Sequence, residues 1–278
     1  MWVSPLGGRQ LGVCWELGSP LGLKLKKLGA LAEDLDILLQ AVKWRVCVAA
    51  HDDVIREADT AGQLKILLAG TTCSYKRKED GARIILSFQH PGDFCDLHRY
   101  VMPNLEPAIG IQALTDCTLA IIDYREVDRL LTRPTLASAF WRASILEAAA
   151  YRERLSSTGR RTALERVAHL LCEQLARREA VGIHGLQLPF SQIDIADAAG
   201  LSAVHVNRTV QTLRTLNLLS KTAIEVIDRK QLEKIARFHD PYLHTPELAS
   251  NWRVQIEGTE RTSQLVKEKE SAVPSGAL

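Results

Sequence analysis

Ser191, Gln192, Ser202, Ala203, Val204, His205, Asn207, Arg208 and Gln211 concentrate small, amide and basic side chains in one short stretch of the chain. Their types suit recognition rather than bond breaking. An arginine can bond a guanine edge through two parallel N–H groups, and this is the role expected of Arg208. Asn207 or Gln211 can reach a base or a phosphate oxygen. Ser191, Gln192 and Ser202 fall where helices are expected to begin, and first-turn backbone N–H groups favour phosphate. No Ser/His/Asp set, phosphate loop or paired carboxylates occur at usable spacing, so no enzyme chemistry, cofactor or metal is expected.

Two short helices must present these residues together. Ser191 can cap the first, with Asp194 three residues on completing a capping box. Ala196 is small enough to let a second helix approach. Gly200 can take the left-handed turn that ends the first helix. Ser202 can cap the second, and Val206 points back into the angle between them, with Leu201, Val210 and Leu213 completing the apolar side. That spacing predicts a helix-turn-helix over residues 191–213, whose second helix enters a major groove. The same residues also fit two ordinary packed helices with a solvated polar face. Residues 160–234 carry 11 Lys and Arg against 8 Asp and Glu, a local excess of +3. Residues 222–227 alternate as a short strand, which suggests a winged variant with little room for its loop at Ser220-Lys221-Thr222, and a short helix is expected over 231–238.

Upstream, residues 134–158 read as one long helix that opens at Pro134, with Thr158-Gly159 as its expected end. Its apolar residues Phe140, Trp141, Ile145, Leu146, Tyr151 and Leu155 cover more than one stripe, leaving open a wholly intramolecular helix or a dimer interface. A second helix over 160–180 carries His169, expected to be packed or to cap. Before it, residues 46–123 break into short apolar runs at 64–69, 71–78, 82–88, 109–114 and 117–122. This pattern predicts a compact antiparallel β barrel or roll, with Asp80-Gly81 as its best hairpin turn. Residues 31–42 have helical spacing. Residues 1–30 read as a loose extension, and 246–278 as a disordered tail.

The order β-roll, long helix, winged helix-turn-helix resembles the Crp/Fnr family of bacterial transcription regulators. The carrying residues are Gly70, Asp80-Gly81 and Pro91-Gly92-Asp93-Phe94 in the first half. In the second they are Gly200-Leu201-Ser202 and Val204-His205-Val206-Asn207-Arg208-Thr209. The resemblance implies an α+β chain with three folded parts, a cyclic-nucleotide-binding-like roll (31–133), a dimerisation helix (134–158) and a winged helix-turn-helix (159–245), set between the N-terminal extension (1–30) and the tail (246–278). It further implies a homodimer, a palindromic site on double-stranded DNA and contact with RNA polymerase. Arg208 occupies the family's base-reading arginine position, while Val204 replaces an acidic residue many members use.

Two departures bear on the sensor half. Members that bind cyclic AMP carry Gly-Glu just after Pro-Gly-Asp-Phe and Arg-Ser about ten residues on. Here those places read Asp96-Leu97 and Pro107-Ala108, so cyclic AMP is not expected in the usual way. Only Cys14 lies near the N-terminus, which speaks against the clustered cysteines of iron–sulfur members. Cys95 and His98 have a spacing that can ligate metal, but one such pair is expected to be incidental.

The 278 residues, 46% hydrophobic, suffice for two modest cores, and the net charge of +2 gives no global field. Six scattered cysteines without a secretory pattern suggest reduced thiols. No apolar run approaches the 18 or so residues of a membrane span. The expectation is a soluble, cytoplasmic regulator without membrane contact. The alternative is a small-molecule or protein-partner sensor with little sequence-specific DNA binding.

Overall fold

The computed structural model describes residues 2–5, 17–56, 59, 62–102 and 109–243. The expected tail, Cys14 and Pro107-Ala108 lie outside the described residues. In chain order the elements are β1 (Trp2–Pro5), α1 (Pro20–Lys27), α2 (Ala32–Gln40), β2 (Trp44–Val48), β3 (Asp53–Ile55), β4 (Gln63–Ala69), β5 (Thr72–Arg77), β6 (Arg83–Gln89), α3 (Leu97–Val101), β7 (Gly110–Ala113) and β8 (Cys117–Asp123). The helices α4 (Tyr124–Leu130), α5 (Pro134–Arg160), α6 (Ala163–Glu179), α7 (Gln192–Ala199), α8 (Ala203–Thr215) and α9 (Arg229–Ala236) follow.

The strands form two four-stranded antiparallel sheets, ordered β1-β2-β8-β4 and β3-β7-β5-β6. The expected roll is therefore present, and the 80–81 turn does join a hairpin, β5–β6. There the Ala82 amide donates to Asp80 Oδ1 at 2.9 Å, which closes the turn locally. Period-two alternation sends Val46, Leu67, Ile111, Leu119 and Ile121 into one cluster, and Leu64, Ile66, Leu68, Ala120 and Ile122 into another with α1, α2, α4 and α5.

The third cluster differs from the expectation of separate cores. Cys73, Ile85 and Phe88 pack with Leu171, Leu175, Leu188, Phe190 and Val206 in one group. The ring of Phe88 stacks on Phe190 with centroids 4.3 Å apart. The helical half thus rests directly on the β3-β7-β5-β6 sheet.

The reading of residues 1–30 as a loose extension fails for those the structure describes. β1 pairs with β2, and α1 buries Leu21 and Leu25, with Leu28 just beyond its end. Ser19 caps α1 by accepting from the Gly22 amide, and Pro20 takes the first helical position, where its missing N–H costs nothing. The turn at Pro91–Asp93 lets α1 come close: Gly92 has φ +94°, and a Cβ there would lie 2.8 Å from the Pro20 carbonyl oxygen.

A polar junction is buried at this contact. Asp93 pairs with Lys24 of α1 at 2.7 Å and with Arg177 of α6 at 3.1 Å, and His90 Nε2–H donates to Gln174 Oε1 of α6 at 2.9 Å. Burial alone would raise the Asp93 carboxyl, but Lys24 and Arg177 hold it well below the usual carboxylate range. Burial, helped by Arg177, pushes the His90 imidazole down to about 3.

The long helix does not end at Thr158-Gly159. It runs to Arg160, because a helical Gly159 has open space around it and nothing there forces a turn. The stop comes at Arg161 and Thr162, both extended. Thr162 caps α6 in a reciprocal box with Glu165. His169 is buried against Phe238, with ring centroids 5.2 Å apart; burial and the cations Arg161 and Arg154 push it down to about 4. The strand expected at 222–227 is reduced to isolated bridges, Leu219 with Val226 and Gln187 with Glu225. Residues just before it are spent on a turn in which Ser220 bonds both the carbonyl and the amide of Ala223.

Candidate nucleic-acid interface

The first helix of the pair, α7, begins as its residue types dictate. Ser191 Oγ accepts from the Asp194 amide at 3.1 Å, and Asp194 Oδ2 accepts from the Ser191 amide at 2.9 Å. Gly200 ends it with φ +63° and ψ +41°, and the Leu201 amide bonds back to the Ala196 carbonyl at 3.1 Å. Ser202 then caps α8 by accepting from the His205 amide at 3.2 Å. Ala196 and Val206 are both buried between the helices, with Val210 and Leu213 behind them.

Burying that stripe leaves the opposite face of α8 outward. Ser202, Ala203, Val204, His205, Asn207, Arg208 and Gln211 are all exposed, as is Ser191, while Gln192 is half-buried. Val204, at 64% exposure, is an apolar side chain held in water by this geometry. Among the described residues, the Arg208 guanidinium has no hydrogen-bond or ion-pair partner. Asn207 Nδ2 donates to Gln192 Oε1 at 3.0 Å, which joins the polar faces of the two helices into one surface. The Ser191 and Ser202 oxygens are committed to capping. What these positions offer an outside acceptor is therefore first-turn backbone N–H.

The acidic residues of α7 are turned the other way. Asp194 and Asp197 both pair with Arg83 of β6, at 2.6 and 2.8 Å, so their charge is neutralised away from the exposed face. A surface groove of about 550 Å³ runs beside α8, lined by Thr162, Ala163 and Leu164 of the α6 start and by Ser202, Val204, His205, Arg208, Thr209 and Thr212. Thr162 and Thr212 were not among the residues picked from the sequence. Neither was Lys221, exposed in the wing turn that Arg214 Nε steadies by donating to the Ser220 carbonyl at 2.9 Å. A basic residue between the two wing bridges was the available signal for Lys221; Thr162 and Thr212 had none.

In the roll, Asp96 is buried and accepts from the Lys65 amide at 3.2 Å, with Lys65 Nζ 3.7 Å away. Burial pushes its carboxyl up despite Lys65. Leu97, at the place of the glutamate in cyclic-AMP-binding members, is buried and apolar and offers a ligand no carboxylate. Cys95 is buried in the roll interior while His98 is exposed, and among the described residues no group of three or more metal-type ligands exists. None of the described helices is long and apolar enough to cross a membrane.

Residues 45–133 match the cyclic nucleotide-binding domain, and residues 165–235 match the Crp-like helix-turn-helix domain. The chain is similar to the nitrogen fixation regulation protein FixK of Bradyrhizobium diazoefficiens, at 29% identity over 198 residues, covering 69% of this chain and 81% of that protein. It is also similar to the transcriptional activatory protein AadR of Rhodopseudomonas palustris, at 28% identity over 236 residues, covering 82% and 90%. The solved structure of FixK2 from Bradyrhizobium japonicum shares 25% identity with a TM-score of 0.60, covering 69% of this chain and 96% of that one. With a β-roll, a long helix and a capped helix pair in this order, the chain belongs to the Crp/Fnr family of DNA-binding transcription regulators.

Proposed function

We propose that the chain acts in the cytoplasm as a homodimer on a two-fold symmetric DNA site. In this reading α8 lies in the major groove and Arg208 reads a guanine. Asn207, Gln211, His205, Val204 and Ala203 contact neighbouring base edges or backbone. Ser191, Gln192 and Ser202 contribute N-terminal amides to phosphates. The observation that supports this most is the unpartnered Arg208 guanidinium on an exposed face whose nearby acidic residues are drawn off by Arg83.

The dimer is supported by α5. Its 27 residues span about 40 Å, and Trp141, Ile145 and Leu155 are exposed at 67%, 56% and 76%. Large apolar groups at this spacing along one helix suit a second copy of the same helix. Contact with RNA polymerase is part of this reading; the relative AadR is named a transcriptional activatory protein. Cyclic AMP is not the effector in this reading, because buried Leu97 stands where cyclic-AMP-binding members carry glutamate.

Gel-shift titration with genomic fragments at moderate salt, together with the mass of the complex in solution, tests the proposal. A specific shift carrying two protein copies is expected. Binding that vanishes with salt equally for all fragments would sink it, because non-specific affinity rests on counterion release alone.

A further inference from the structure

Arg83 opens β6 just after the hairpin turn, in the sensor half, and all three of its guanidinium nitrogens are engaged. Nη2 donates to Asp194 Oδ1 at 2.6 Å, Nε to Asp197 Oδ2 at 2.8 Å, and Nη1 to Gln112 Oε1 of β7 at 2.7 Å. Gln112 in turn donates to the His51 carbonyl at 3.0 Å. The arginine is 15% exposed and its two carboxylates 10% and 21%. Asp194 is shared: one oxygen takes Arg83, the other takes the Ser191 amide and hydroxyl that begin α7.

The far end of α7 is held by a second arginine. Arg166 of α6 donates from Nη1 to the Ala199 carbonyl at 3.0 Å and from Nη2 to the Thr158 carbonyl of α5 at 2.9 Å. α7 is thus pinned to the roll at its start and to the long helix at its end. A planar guanidinium fork fixes direction as well as distance, which a single contact cannot do. α8 follows α7, because Ala196 and Val206 are buried between them.

We propose that Arg83 is a positioning residue for DNA reading: by gripping Asp194 and Asp197 from the roll it sets the angle at which the helix pair stands, and so the half-site spacing the dimer accepts. The inference rests on the dimeric reading proposed above. A small tilt of α7 near its start swings α8 as a lever, and in a two-fold dimer both levers move. The grip adds nothing to base contacts, so base preference within one half-site is independent of it.

The test uses the full chain and duplexes first selected from random DNA, then rebuilt with the half-sites moved closer or farther apart. The parent should prefer its best spacing by about tenfold over one two base pairs longer, since that insertion rotates one half-site by roughly a fifth of a turn. Arg83→Gln should shrink this preference to within about threefold while base preferences inside each half-site stay unchanged. Asp197→Asn, which keeps the capping carboxylate, should give an intermediate result even if Arg83→Gln folds poorly. The swapped pair Arg83→Asp with Asp197→Arg should recover spacing preference. A folded Arg83→Gln or Asp197→Asn protein with the parent's spacing preference would overturn the inference, as would a swap no better than the single change. If the parent binds two-fold sites tightly but ignores spacing, the inference falls and the dimeric reading stands. If it binds two-fold sites no better than one half-site, both fall.

Discussion

Two polar regions of the molecule behave in opposite ways. Around Asp93, a buried carboxylate of the Pro91–Asp93 turn is paired with half-buried cations from α1 and α6. On α8, Arg208 and its neighbours stand in water with partners still to be found. The first region is costly to disturb, because a buried charge that loses its partner has no solvent to turn to. The second adds little to folding and is therefore free to serve a ligand. The contrast separates residues that hold the helix pair from residues proposed to read DNA.

Asp93→Ala is the strongest way to break the comparison. It strands Lys24 and Arg177, and the expected loss of stability is about 3–5 kcal/mol by urea unfolding. A loss below about 1 kcal/mol would mean the junction is wetter than its burial implies.

Acid should act on the same region. His90 is held neutral with its value pushed down to about 3 from an ordinary 6.5. Below pH 6.5 the unfolded chain gains a proton that the folded protein refuses, so stability falls from there toward about 3. The loss should be on the order of 2 kcal/mol per buried imidazole between pH 6.5 and 5. His169, pushed down to about 4, contributes with the same sign. Chemical denaturation across that range measures the slope, and His90→Gln should flatten part of it.

Arg208→Ala probes the other region. It should weaken binding to the best site by about 1–3 kcal/mol and relax one base position, with stability changed by no more than about 0.5 kcal/mol. Unchanged specificity would remove Arg208 from the reading set. The smallest expected effect sits between the regions. Gly200→Ala forces a side chain into φ +63° and should cost about 1 kcal/mol of stability, because the space around it is open and only backbone strain is felt.

Much of the reading half was legible because its signals are local. The Ser191–Asp194 box, Ala196, Gly200, the Ser202 cap and Val206 are each decided within a few residues, and all appear in the structure as the spacing implies. The β5–β6 hairpin was legible for the same reason. Ser19-Pro20 followed by Leu21, Leu25 and Leu28 is an equally local helix signal, masked in the sequence by the irregular glycines around it. The end of α5 differs from the expected one because Gly159 looks like a breaker in sequence, while the stop lies in the Thr162 cap that follows.

By itself the sequence determined the succession of roll, long helix and helix pair, and the side chains on the outward face of that pair. These depend on caps, periodicity and turn residues, which act over one or two helical turns. Only the tertiary structure decided that Arg83 meets Asp194 and Asp197, more than a hundred positions away, and that Lys24 reaches Asp93. Such pairings are set by how whole elements stack on one another, and the residues that meet carry no local mark of their partner.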